Sequence, residues 1–324
     1  MSLKPTLIDI EQAYERIAPH VHKTPVLTSS AIDALLDGQI FFKCENLQKI
    51  GAFKIRGATN AVFGLPEKEA ARGVVTHSSG NHAAAVAQAA AWRGIPAYIV
   101  MPETSPVIKQ KAVAGYGGQI TLCGSTPRDR EAAGQRLIES TGAHFIPAYN
   151  DARVIAGQGT VALEILEQVP DLDILITPLG GGGLTGGVAT VVKSLQPSMR
   201  MVGAEPEAVD DAFRSKLVGE ILTIDTPRSL ADGLLMPLGD KTFPLIRDRV
   251  DEIILAPEQR IVEAMRLIYE RMKLVIEPSS AVPLAALLDG RIDVKGKRVG
   301  IVLSGGNVDL GAFFEWMQGR IVRQ

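Results

Sequence analysis

Lys54 lies in "GAFKIRG", residues 51–57, among small and apolar neighbours with a glycine on each side. Three chemistries fit such a lysine: a solvated amine at a helix start, a phosphate-binding ammonium, or an amine that forms a Schiff base with a carbonyl. The phosphate reading lacks the spacing of a Walker loop. For the Schiff-base reading, Phe53 and Ile55 would reduce hydration of the amine and favour its neutral, nucleophilic form. Gly51 and Gly57 would let the backbone approach a planar ring. A second candidate is "PLGGGGLTGG", residues 178–187. Its four consecutive glycines, Gly180, Gly181, Gly182 and Gly183, favour neither helix nor strand. They let backbone N–H groups converge, and at a helix start that makes an anion cradle suited to a phosphate. The run also matches G-x-G-x-x-G at Gly181, Gly183 and Gly186, with Glu205 near the place of a ribose-binding acid, so a dinucleotide is a competing guest. In "HSSGNH", residues 77–82, Ser78, Ser79, Gly80, Asn81 and His82 offer side-chain and backbone donors, either to a substrate carboxylate or as a plain helix cap. "VLSGGNVD", residues 302–309, puts Ser304 at a strand end, where ligands of open α/β sheets bind.

Each of these segments needs a strand behind it and a helix after it. Short β-rich runs at 40–45, 73–78, 96–101, 118–124, 143–148, 173–180, 199–205 and 298–306 alternate with helical stretches at 81–94, near 106–116 and at 127–141. The alternation predicts an α/β fold of parallel sheets with crossover helices. Most strand runs are continuously apolar, as when both sheet faces are covered. There is no internal repeat and no low-complexity linker.

The chain has 324 residues, which suits two domains or one domain with a lobe. It is 46% hydrophobic and 22% charged, ordinary for a soluble globular protein, and its net charge of -2 points to neither nucleic acid nor membrane. Two cysteines, Cys44 and Cys123, argue against a disulfide scaffold or a cysteine zinc site and fit a reducing compartment. The start, "MSLKPTLIDIEQAYERI", is too polar for a signal peptide, and no run of 18 apolar residues suggests a membrane span, so the cytoplasm is expected. His20, His22, His77 and His144 have no metal-ligand spacing and read as structural.

The segments "KTPVLTSS", "FFKCENLQKIGAFKIRGA", "SSGNH", "AGQGT", "GGGGL", "AEP", "EPSSA" and "SGGNVD" together resemble the fold-type II pyridoxal-phosphate (PLP) enzymes. Within that group the chain is similar to serine racemases and catabolic serine/threonine dehydratases, hydroxyaspartate dehydratases included. The resemblance implies a two-domain fold like that of tryptophan synthase β, with residues 1–52 and 151–324 as the large domain and 53–150 as the small one. It implies that Lys54 carries PLP and that Phe53 packs on the ring. Gly180, Gly181, Gly182, Gly183 and Leu184 would hold the phosphate, Asn81 would bond the ring hydroxyl, and Ser304 would face the pyridine nitrogen. The activity implied is loss of water from a 3-hydroxy amino acid (serine, threonine or 3-hydroxyaspartate) to give a 2-oxo acid and ammonia. Ser79 stands where threonine dehydratases commonly have alanine and racemases have an acid/base serine, so serine or aspartate racemisation is the alternative. Ala84 replaces the glutamine usual after the "NH" pair, and "ADGLLMPLGDKTF" also departs from racemases. By the same resemblance, "GAEPEAVDDAF" would be a divalent-cation site for Mg²⁺, Mn²⁺ or Ca²⁺, with carboxylates from Glu205 and Asp211 and the carbonyl of Val209. A homodimer without an isoleucine-responsive regulatory domain is expected. Two readings from other classes remain open on the residues alone: a nicotinamide-dependent oxidoreductase using Gly181–Gly186, and a non-catalytic amino-acid-binding module.

Overall fold

The computed structural model describes residues 4–319 except Ser79 and Pro106. Among them, ten strands form two sheets. The first sheet contains β1 (Val26–Thr28), β2 (Gln39–Cys44), β7 (Ile174–Pro178), β8 (Arg200–Pro206), β9 (Glu252–Ala256) and β10 (Arg298–Leu303). Its spatial order is β1-β2-β10-β7-β8-β9. The second contains β3 (Val74–His77), β4 (Ala97–Pro102), β5 (Gln119–Cys123) and β6 (His144–Phe145), in the order β5-β4-β3-β6. Every pairing is parallel except β1 with β2, which gives the larger sheet one antiparallel edge. The α/β expectation therefore holds, with that edge as a departure from all-parallel sheets.

The apolar strands of the large sheet are continuous because helices cover both faces. Ile174 and Ile176 of β7 enter one core while Leu175 between them enters the other; Val302 of β10 likewise points opposite to Ile301 and Leu303. The smaller sheet is less evenly covered. Its main core joins Val74, Ile99 and Met101 to the alanine-rich helix Asn81–Arg93 and to Ile55, Ala58 and Val62 of the helix Lys54–Phe63. On edge strand β5, Leu122 is exposed, so that run is not buried throughout. The expected strand at 143–148 shrinks to two residues, because β6 pairs only through Val74↔His144 and Val75↔Phe145.

Parallel register brings the carboxyl ends of the strands together. Val299, Gly300 and Ile301 of β10 face Ile174, Leu175 and Ile176 of β7. Ser304 and the glycine run after Pro178 thus leave the same edge of the sheet, where such folds bind ligands. His20 stacks near Phe63 and Trp92, His77 lies beside Phe145, and Cys44 and Cys123 are free and buried. No helix among the described residues is long and apolar enough to cross a membrane.

Candidate active site

A cleft of about 220 Å³ opens at those strand ends and brings together Lys54, Phe53, Ser78, Gly80, Asn81, His82, the whole run Gly180–Leu184 and Ser304. A larger groove of about 630 Å³, near Leu35 and Ile292, contains none of these segments, and its Arg260 is paired with Glu263 and Asp289. Chemistry, not size, selects the first.

Lys54 opens the helix Lys54–Phe63. The residues before it are fastened to the loop after β10: Phe53 N–H donates to the Ser304 carbonyl at 3.0 Å, and Ala52 bridges Gly305. Gly51 has φ +74°, and a Cβ there would meet the Asn307 side chain at 2.6 Å, so glycine is required. Lys54 Nζ donates to the Ala148 carbonyl at 2.9 Å and sits 5.2 Å from the Phe53 ring centre. Burial lowers its pKa to about 8, against an opposing pull from the Glu277 charge. Burial of this kind favours the neutral form of an amine.

The helix start is locked from below. Arg56, fully buried, donates Nε to Glu45 Oε2 at 2.7 Å and Nη2 to Glu45 Oε1 at 2.8 Å. It reaches Glu164 at 2.7 and 2.8 Å through Nη1 and Nη2. Lys43, also fully buried, adds a 2.6 Å contact to Glu164. Two buried cations face two buried anions, and the helix cannot rotate without unpairing them.

The glycine run turns into the helix Gly183–Leu195, whose cap, Gly182, is left-handed at φ +85° and supplies no side chain. First-turn N–H groups have no intrahelical acceptor and point outward as a cradle. Its walls allow no Cβ. One at Gly180 would lie 2.7 Å from Leu234 Cα, and one at Gly181 2.6 Å from the Tyr149 ring. Thr242 braces the run from behind by donating its hydroxyl to the Gly181 carbonyl at 2.8 Å. A buried Schiff-base-competent amine beside a glycine-lined anion cradle fits PLP, whose aldehyde and phosphate are the matching groups.

Across the cleft, Gly80 caps the helix Asn81–Arg93 without a side-chain bond, so this N-terminus is also open to an anion. Asn81 donates to both Glu277 oxygens, at 3.2 and 3.0 Å, and accepts from Asn307 at 2.8 Å. Ser79 lies outside the described residues. His82 requires a correction. Its Nε2 lies 3.0 Å from the Ile146 carbonyl, which can only accept, so Nε2 carries the proton. Burial lowers the imidazole pKa to about 3, helped by the Lys54 charge. The side chain is therefore neutral with a bare Nδ1, and it donates nothing to a carboxylate; only its backbone N–H can. Ser304 is buried, with Oγ 3.0 Å from Ser280 Oγ.

Sequence reasoning assigned no role to several lining residues. Glu277 was visible only as part of "EPSSA"; burial raises its carboxyl to about 7, although the Asn81 hydrogen bond pulls the other way. Tyr149 walls the glycine run, and Lys109 and Asp232 face each other at the mouth, Nζ to Oδ2 3.4 Å. Tyr149 and Lys109 carry no local signature, whereas Glu277 and Asp232 lie in the segments "EPSSA" and "ADGLLMPLGDKTF".

Away from the cleft, Glu205, the last residue but one of β8, accepts from the backbone N–H groups of Ala212 and Phe213 at 3.0 and 2.9 Å. Burial raises its carboxyl to about 8. Asp211 is buried and its Oδ2 has no partner among the described residues. Val209 is buried between them in sequence. No cluster of three or more His, Cys, Asp or Glu able to hold a metal occurs among the described residues.

The family model described as "Pyridoxal-phosphate dependent enzyme" covers residues 17–305. The chain is 50% identical over 316 residues to a serine racemase of Oryza sativa subsp. indica, covering 96% of this chain and 93% of that protein. It is also 50% identical over 306 residues to a beta-hydroxyaspartate dehydratase of Paracoccus denitrificans, covering 94% and 97%. The structure of maize serine racemase superposes with a TM-score of 0.93 at 47% identity, over 97% of each chain. The chain belongs to the pyridoxal-phosphate dependent enzyme family.

Proposed function

We propose that this protein is a PLP-dependent ammonia-lyase that removes water from a 3-hydroxy amino acid and yields a 2-oxo acid and ammonia. The observation that carries the reading is Lys54, a buried amine with its pKa lowered to about 8 at the floor of the cleft that holds the glycine cradle. The beta-hydroxyaspartate dehydratase relative supports the reaction class. Gly180, Gly181, Gly182, Gly183 and Leu184 would hold the phosphate, Phe53 would lie on the ring, Asn81 would bond its hydroxyl, and Ser304 would face the pyridine nitrogen. When bound, PLP supplies an electron-withdrawing ring conjugated to the substrate nitrogen, which acidifies the α-C–H.

The open helix start at Gly80–His82, with Ser78 and Ser79, holds the substrate α-carboxylate. Lys54, as the neutral amine, takes the α-proton; such positioned general-base help is typically worth ~10²–10⁴ in rate. The β-hydroxyl departs as water with the proton that Lys54 returns, and the unsaturated amine takes up water again and sheds ammonia. Ser304 is a neutral partner, unlike an aspartate, and leaves the pyridine nitrogen unprotonated, which favours elimination over reactions that need a long-lived carbanion. Release of 2-oxo acid from L- and D-serine, L-threonine and the 3-hydroxyaspartate isomers tests the reading; no release from any of them refutes it.

Serine or aspartate racemisation is the second reading, favoured by Ser79 and by the serine racemase relatives. Replacing Ser79→Ala should abolish racemisation and spare elimination from the L-substrate. Glu205, Asp211 and the Val209 carbonyl are proposed to hold Mg²⁺, Mn²⁺ or Ca²⁺: a buried carboxylate oxygen without a partner, beside a second buried acid, suits a hard cation. We take the two sheets as cores of two domains, 53–150 and the remainder, in a cytoplasmic homodimer.

A further inference from the structure

We propose that Lys109 is a specificity-determining residue, whose ammonium receives the side-chain carboxylate of a dicarboxylic 3-hydroxy amino acid. The inference rests on the lyase reading and narrows it to one substrate class. A 3-hydroxyaspartate carries two carboxylates. The first is served by the open helix start at Gly80–His82. The second is complemented by a cation within reach of the cleft.

The cleft lining offers two ammonium groups and, among the described residues, no arginine. One is Lys54, committed to the reacting carbon and turned onto the Ala148 carbonyl. The other is Lys109, on the helix Val107–Gly115 beside the smaller sheet. It reaches across the mouth to Asp232, on the turn Asp232–Leu234 of the opposite wall. That pair shows that the ammonium can hold a carboxylate within the lining of the same cleft. It is a loose pair. At 3.4 Å it is longer than an ordinary N–H···O contact, and both side chains are partly exposed, 37% and 64%. Exposed pairs of this kind contribute little. Exchanging Asp232 for a substrate carboxylate therefore costs little, and the displaced aspartate turns to solvent. Serine and threonine have no group to make the exchange, so Lys109 gives them nothing.

The holoenzyme tests this with Lys109→Met, Lys109→Arg and Asp232→Asn. At so open a position a carboxylate–ammonium contact is worth up to ~1 kcal/mol, which corresponds to roughly fivefold. Lys109→Met should lower the ratio of kcat/KM for 3-hydroxyaspartate over L-serine by that factor, mainly through KM. Lys109→Arg should recover most of it, and Asp232→Asn should raise the ratio by freeing the ammonium. An unchanged ratio in Lys109→Met overturns the proposal, whatever the absolute rates. If the unaltered enzyme releases 2-oxo acid from neither substrate, the lyase reading fails separately. Calorimetric binding of succinate, an unreactive dicarboxylate, then decides for Lys109. Binding that weakens about fivefold in Lys109→Met supports the assignment; no binding, or equal binding to both proteins, overturns it.

Discussion

Replacing Arg56→Met tests the claim that a buried ion network holds the lysine helix in place. Arg56, Lys43, Glu45 and Glu164 are each 1% exposed or less. Methionine fills a similar volume but strips Glu45 of both its guanidinium contacts and Glu164 of two of its three cationic ones. Breaking a buried pair from one side costs ~3–5 kcal/mol, because the remaining charge is stranded. That is a large share of a total stability of ~5–15 kcal/mol. The loss should also depend on pH. In the unaltered protein burial pushes the Glu45 carboxyl up, but Arg56, with help from Lys43 and Thr24, more than offsets it and the net pKa is lowered. A depressed folded pKa contributes stability above the unfolded value, ~4.3, that is lost as pH falls through the folded value. Without Arg56, burial dominates and the folded pKa rises. Its contribution is then present below the unfolded pKa and is lost as pH rises through the raised value. The gap between the two proteins must therefore widen from pH 5 to pH 8. Urea denaturation at both values measures it. We expect ~3–5 kcal/mol at pH 8 and at least ~1 kcal/mol less at pH 5. Adding Glu45→Gln to the variant should recover part of the loss. A cost below ~1 kcal/mol at pH 8, or the same cost at both pH values, refutes the reasoning.

Lys54→Ala should remove the visible PLP absorption band together with turnover; a retained band that borohydride bleaches would move the attachment to another lysine. The rate at which apoprotein recombines with PLP should rise with pH and reach half its plateau near pH 8, since burial lowers the Lys54 pKa to about 8 and the neutral amine is the reactive form. Gly182→Ala forces an L-residue to φ +85° and brings its Cβ 2.8 Å from Leu238; it should cost ~1–2 kcal/mol of stability and weaken PLP binding in equilibrium dialysis. Chelation should lower the melting temperature, Mg²⁺ should restore it, and Asp211→Asn should abolish both responses; an unaltered protein indifferent to chelator would remove the cation from the account.

The chemistry legible in the sequence was local chemistry. Lys54 between Phe53 and Ile55, and Gly180 to Gly183 at a strand-to-helix turn, stand out because a desolvated amine and an anion cradle can be built from consecutive residues. Strand–helix alternation declared the α/β class for the same reason, since periodicity is a property of neighbours in sequence. What the sequence could not show is what depends on contacts between distant segments. Glu277 meets Asn81 across 196 positions and Arg56 meets Glu164 across 108. Whether a charge is buried, and hence whether it is paired, perturbed or merely solvated, follows from those contacts alone. His82 shows the difference most plainly. Its residue type suggested a donor, but the Ile146 carbonyl takes its one proton and burial forbids a second. By itself the sequence determined which groups could react; the tertiary structure decided which of them share a cleft and in what protonation state, because distance and solvent exclusion exist only once the chain is folded.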